Sequence, residues 1–110
     1  MTIYLSGPIS GLPDLNRPAF AQAAAHLRAL GWLVVSPHEL EHAAPSGWAD
    51  YMRVDLAAMM TADALLMLPG WEDSRGARLE LTLARDLEMR IYYRLEDAWL
   101  VDMGARGDEL

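Results

Sequence analysis

The segment Asp73-Ser74-Arg75-Gly76-Ala77-Arg78-Leu79-Glu80 brings two kinds of chemistry together in one short stretch. Ser74 stands where it can cap a helix. Its hydroxyl, the free N–H groups of the first turn and the Arg75 guanidinium together suit an anion such as a phosphate. A serine in that place is more often simply a cap. Glu80 shares a helical face with Ala77, Leu81 and Ala84, so its carboxylate is aimed at whatever that apolar face covers. The ordinary alternative is a glutamate whose stem packs while its head reaches water or pairs with Arg78 or Arg85. Asp55 precedes the apolar positions Leu56, Met59 and Met60, and Asp63 follows a few residues on. In isolation each of these aspartates reads as a solvated or capping carboxylate. Tyr4, inside the first apolar run, reads by default as a core aromatic whose hydroxyl finds some partner.

These residues act together only if folded elements bring them to one place. Ile3-Tyr4-Leu5 is a run of strand formers stopped by Ser6-Gly7-Pro8, which predicts a buried first strand and a loop holding Gly7, Pro8, Gly11 and Pro13. Asn16 stands as an N-cap with Pro18 in the first turn, and Phe20, Ala23, Ala24, Leu27 and Leu30 follow helical spacing until Gly31. Trp32 to Val35 read as a second strand ended by Ser36-Pro37. Ser36 to Gly47 reads as loop with at most one helical turn, before a helix from about Trp48 to Ala62. Asp63 opens a third strand, Ala64 to Leu68, stopped by Pro69-Gly70. Ser74 caps a helix from about Arg75 to Glu88, and Ile91-Tyr92-Tyr93 is a fourth strand. The tail from Glu96 predicts a last helix through Ala98, Trp99 and Val101, fraying at Gly104. Continuously apolar strands alternating with amphipathic helices predict an α/β fold, a parallel sheet covered on both faces with right-handed crossovers. Ligands in such sheets bind at the carboxyl ends of the strands, where the strand order reverses. The loops 6–15, 36–47 and 69–74 are therefore the ones to inspect.

Composition bounds the partners. The 110 residues make one domain, and 53% hydrophobic with 23% charged residues excludes a disordered or collagen-like chain. Sixteen acidic against nine basic side chains give a net charge of −7, and the basic residues do not cluster, so nucleic acid is not an expected partner. The absence of cysteine excludes disulfides, thiolate nucleophiles and cysteine-ligated metals. No metal or cofactor is expected. The start MTIYLSGP lacks the basic and apolar regions of a signal peptide, and no apolar run approaches ~18 residues, which predicts a cytoplasmic protein without a membrane partner.

Taken together, Ile3-Tyr4-Leu5-Ser6-Gly7-Pro8-Ile9, Trp48 through Asp55-Leu56 with Asp63 beyond, Leu68-Pro69-Gly70-Trp71-Glu72, and Ser74-Arg75-Gly76-Ala77-Arg78-Leu79-Glu80 resemble the nucleoside 2-deoxyribosyltransferase-like superfamily. Its small bacterial and phage branch is the nearest in pattern, and the likeness runs from about residue 2 to residue 93. The resemblance implies a flavodoxin-like (Rossmann-like) three-layer sandwich with a parallel sheet of four to five strands. It implies N-glycosidic bond chemistry on a nucleoside or nucleoside 5′-monophosphate, by hydrolysis or deoxyribosyl transfer. Glu80 then matches the nucleophile, Asp55 the carboxylate facing the leaving base, and Tyr4 the hydroxyl that orients the nucleophile. Gly7 and Gly11 match glycines of the sugar-binding loop, and Ser74 and Gly76 the phosphate-contacting turn of the nucleotide-specific members, with Ile9, Arg75 and Trp71 as further substrate-binding candidates. Trp48, Tyr51 and Trp71 can stack on the base, although core anchoring explains them equally well. The transferases contribute a C-terminal asparagine across a subunit interface. The only asparagine here is Asn16, so that contact is missing or replaced. By the same analogy a homodimer or larger homo-oligomer is expected, with Met52, Met59 and Met60 as the candidate surface and an internal core as the plainer reading of those methionines.

Other patterns compete. His38-Glu39-Leu40-Glu41-His42 satisfies H-E-x-x-H, a zinc-protease signature, but Pro37 and Pro45 bracket a segment too short for the helix that chemistry needs. Arg106-Gly107-Asp108 and the terminal Asp-Glu-Leu read as coincidences without a secretory signal. A nucleotide-binding module without catalysis is the rival from a different class. Tyr4, Asp55 and Glu80 together favour chemistry, because binding a nucleotide does not call for two carboxylates near a phosphate.

Overall fold

A computed structural model describes residues 1–44 and 47–98. Four short apolar runs form β1 (Thr2–Ser6), β2 (Leu33–Val35), β3 (Ala64–Met67) and β4 (Arg90–Tyr92). All pair in parallel in the order β2-β1-β3-β4, with Ile3 opposite Val34 and Ala64, and Leu65 opposite Ile91. Helices α1 (Arg17–Ala29), α2 (Trp48–Met59) and α3 (Arg75–Asp86) connect them. Strand alternation sorts the core into two halves. Ile3, Leu5 and Leu66 meet Phe20, Ala23, Ala24 and Leu27 of α1 on one face. Tyr4, Leu65 and Met67 meet Met59 of α2 and Ala77, Leu81 and Ala84 of α3 on the other. The result is a flavodoxin-like three-layer α/β sandwich. Its chain runs from β1 outward to β2, then crosses back to β3 on the far side of β1, so the strand order reverses between β1 and β3. The loops leaving those two strands must diverge there, and a cleft opens between them.

Several boundaries differ from the sequence reading, each for a local reason. Helix α2 stops at Met59 rather than Ala62, because Thr61 and Ala62 close tighter turns onto Ala58 and Met59, and the Thr61 hydroxyl donates to the Ala58 carbonyl at 2.7 Å. Helix α3 stops at Asp86 because Glu88 adopts a left-handed conformation (φ 57°), which lets the Met89 N–H bond the Ala84 carbonyl. Ladder pairing of Arg90 with Ala64 shifts β4 one residue earlier than expected. Asn16 stands at the predicted cap of α1, but it is itself left-handed (φ 59°) and its amide donates instead to the Pro8 carbonyl at 2.8 Å, tying the β1 loop down. Leu33 is 68% exposed because β2 is an edge strand. The expected helix around Glu96 is present as a helical turn at 95–98; its continuation through Trp99, Val101 and Gly104, like 106–110, lies outside the described residues. The methionine face proposed for self-association is largely internal: Met52 and Met59 are buried and only Met60 is exposed. No helix among the described residues is long and apolar enough to cross a membrane.

Gly7 matters to this arrangement for a steric reason. A Cβ there would lie 2.8 Å from the Leu68 Cβ, where β1 and β3 leave the sheet side by side. Gly7→Ala is expected to cost about 1–3 kcal/mol of stability by forcing these backbones apart. Urea unfolding of the variant checks this, and an unchanged midpoint would mean that the junction relaxes freely.

Candidate active site

The cleft encloses about 890 Å³ and is lined by the loop after β1, the 37–42 loop (Pro37, His38, Leu40 and His42), helix α2 and the start of α3, together with Leu15 and Arg17. The loop after β1 contributes Gly7, Pro8, Ile9 and Ser10, α2 contributes Trp48, Tyr51, Met52 and Asp55, and the start of α3 contributes Ser74, Arg75, Gly76, Ala77 and Glu80. The α2 residues repeat at intervals of three and four, so one helical face supplies them all. Helix α2 is held at its start by the Asp50 carboxylate, which accepts the Gly47 N–H at 3.3 Å. Ser74 caps α3 as predicted, accepting the Ala77 N–H at 3.2 Å. A Cβ on Gly76 would lie 3.1 Å from the Met52 sulfur, so its bare Cα lets α2 and α3 close at the cleft edge.

Glu80 is 4% exposed, and both of its oxygens are taken by hydroxyls from β1. Tyr4 donates to Oε2 at 2.5 Å and Ser6 donates to Oε1 at 2.7 Å. Burial pushes the Glu80 carboxyl up, the two donors pull it back, and the negative charge of Asp55 raises it further, leaving it at about 7. The Tyr4 phenol is driven far above its ordinary value by burial and then by the nearby Glu80 and Asp55 charges, so it stays a proton donor. Asp55, also buried, accepts or shares a hydrogen from His42 Nε2 at 2.8 Å through Oδ1. Burial raises the Asp55 carboxyl, and His42 and then His38 oppose that rise. The two carboxylates therefore sit in different company, one among hydroxyls and one beside an imidazole.

At the cleft edge the Arg75 guanidinium lies over the Trp48 ring, 3.6 Å from its centroid, and forms no ion pair among the described residues. Arg17 also lines the cleft but is paired with Asp14 at 3.6 Å. His38 packs edge-on against Phe20, and burial, then the Arg17 charge, lowers its pKa. Tyr51 packs on His42, ring centroids 4.6 Å apart.

The structure brings Asp55, Glu80, Gly7, Ile9, Ser74, Arg75 and Gly76 together around the cleft, with Tyr4 hydrogen-bonded to Glu80 behind its wall. Two residues stand apart from the cleft wall. Gly11 (φ 81°) faces open space, and Trp71 packs against the α3 side of the core and near Tyr93. The H-E-x-x-H stretch forms only a 3-10 turn, Pro37–Glu39; Glu39 is turned outward into a two-point contact with Arg28, and no metal-binding cluster occurs among the described residues. Sequence reasoning missed Ser6 and His42 as partners of the two carboxylates. Ser6 had a signal, because it is two residues from Tyr4 and strand alternation puts both on one face. His42 lies in the loop 36–47 that the strand ends single out, but its pairing with Asp55 depends on that loop's irregular path.

A family model described as a domain of unknown function, DUF4406, matches residues 1–93. No curated protein matches the sequence.

Proposed function

From the premise that the chain belongs to the DUF4406 family, we propose that it cleaves the N-glycosidic bond of a nucleoside 5′-monophosphate, with Glu80 as nucleophile. The observation that carries this reading is the buried Glu80 carboxylate gripped by Tyr4 and Ser6 in a cleft that holds a second carboxylate with a different partner. The likeness of its motifs to the nucleoside 2-deoxyribosyltransferase-like superfamily supports it.

The chemistry is a double displacement at the anomeric carbon. A Glu80 oxygen attacks C1′ as the C1′–N bond breaks, through an oxocarbenium-like transition state. The base leaves with the bonding electron pair and takes a proton from the hydrogen-bonded Asp55–His42 pair. Water then attacks C1′ and releases Glu80, returning a proton to that pair and yielding the free base and sugar phosphate. A nucleophile must be ionised and an acid protonated at the same pH: burial raises both carboxyls, the Tyr4 and Ser6 hydroxyls donate to the charged form of Glu80, and Glu80 is ionised above about 7. Tyr51 and Trp48 line the cleft, with one face of each ring taken by His42 and Arg75 respectively, and supply the aromatic contacts on its α2 wall for the base.

Arg75 supports a phosphorylated substrate. Its face is satisfied by an indole rather than its edge by a carboxylate, so its N–H groups remain available to an anion beside the first N–H groups of α3. Wild-type protein is expected to prefer a 5′-monophosphate over the matching nucleoside at least about tenfold, and Arg75→Ala to remove most of that preference while leaving nucleoside affinity unchanged. Calorimetric titration of matched pairs checks this; equal affinities in wild type would point to an uncharged nucleoside. The function itself is tested by following base release from a panel of nucleosides and nucleoside 5′-monophosphates. Release from at least one is expected. Tight binding without release from any would make the protein a nucleotide-binding module instead.

A further inference from the structure

Resting on that reading of Glu80, we propose that Ser6 is a positioning residue for the nucleophile: its hydroxyl, fixed by the sheet, holds Oε1 while Tyr4 holds Oε2, so the carboxylate plane is set before substrate arrives. The last torsion of a glutamate is broad and has no strong intrinsic preference, so an isolated side chain would present its oxygens over a wide arc. Two donors from one rigid strand, one to each oxygen, remove that freedom.

Ser6 is suited to this by its backbone. It is fully buried and stands opposite Met67 in the β1–β3 ladder, and its carbonyl accepts the Leu68 N–H at 2.7 Å. With its Cα fixed and a single side-chain torsion, its oxygen has few places to go, whereas Tyr4 reaches Glu80 from a longer arm. The hydroxyl carries no proton toward the substrate in this scheme. It acts through Glu80, and because it donates to the charged form it also favours the ionised nucleophile, as Tyr4 does. Gly7 follows at once, so Ser6 is the last residue of β1 able to reach Glu80 before the chain turns into the loop that lines the cleft.

The test reads Glu80 directly, so that it does not depend on the protein being a glycosidase. In protein labelled with carboxyl-¹³C glutamate, the Glu80 resonance is the one missing from Glu80→Gln. In Ser6→Ala it is expected to titrate about one pH unit higher than in wild type, because a donor to the charged form has been removed. In the base-release assay kcat is expected to fall at least about tenfold with KM within about twofold, and the acid limb of the pH profile to move up with the resonance. Ser6→Cys, close in shape but a weaker donor, is expected between the two and serves as the second variant should Ser6→Ala not fold. An unchanged Glu80 titration in a folded variant would overturn the proposal, and so would a loss of activity without a shift of the resonance, which would assign Ser6 a packing role. Absence of base release from the wild type would instead count against the functional reading, leaving the titration to decide whether Ser6 governs Glu80.

Discussion

Glu80→Gln is expected to lower base release by at least about a thousandfold and, above about pH 7, to make the protein more stable than wild type. The first effect follows from chemistry: an amide cannot attack C1′ and then leave, while it still fills the space and can meet both hydroxyls. The second follows from linkage. In the unfolded chain a glutamate titrates near 4.5, and in the fold Glu80 is raised to about 7, so between those values the folded state holds the extra proton. Stability associated with this carboxyl is fully present below its unfolded value and is lost as pH rises through about 7, where a charge must be kept buried. Glutamine never carries that charge. The difference between variant and wild type should therefore be small at acidic pH and grow to a few kcal/mol above neutrality. Thermal melts at several pH values measure it. A variant less stable at pH 8 would mean that the two hydroxyls repay the ionised carboxylate in full. The pairing of lost activity with gained stability is what a residue kept for function rather than folding should show.

The second large effect is expected at Asp55. Asp55→Asn keeps a hydrogen-bonding oxygen for His42 and nearly the same volume, but it cannot pass a proton to the departing base. A loss of about a hundredfold to a thousandfold in kcat, with KM nearly unchanged, is the size general acid catalysis commonly supplies. Wild type should show a rate–pH profile that rises as Glu80, raised to about 7, ionises and falls as Asp55, its carboxyl raised by burial, loses the proton it gives the base. In Asp55→Asn the falling limb should vanish and the rising limb remain. Steady-state kinetics across pH will decide, and a change confined to KM would make Asp55 a binding group only.

How much of this was legible in the sequence depended on periodicity. The faces of α3 and β1 are regular, so the approach of Glu80 to the sheet and the inward turn of Tyr4 could be read from spacing alone, as could the parallel order of short apolar strands between helices. Ser6 followed the same rule but looked like punctuation before Gly7 and Pro8. Where the backbone is irregular the signal fails. Asn16 has the composition of a cap, yet three successive left-handed residues, Asp14 to Asn16, carry its amide to Pro8 instead. His42 reaches Asp55 from a loop whose path no local pattern encodes. Trp71 and Gly11 were drawn into the site by motif likeness, and it is the direction of a 3-10 turn, Trp71–Asp73, and an outward loop that keep them from the cleft wall.

The central claim is that Glu80 forms a bond to the sugar, and rapid acid quench with intact-mass spectrometry tests it most directly. Protein mixed with a nucleoside 5′-monophosphate that supports base release should gain the mass of the sugar phosphate without its base, on the peptide containing Glu80, and Glu80→Gln should gain none. Base release with no adduct at any quench time, or an adduct that persists in Glu80→Gln, would contradict the account.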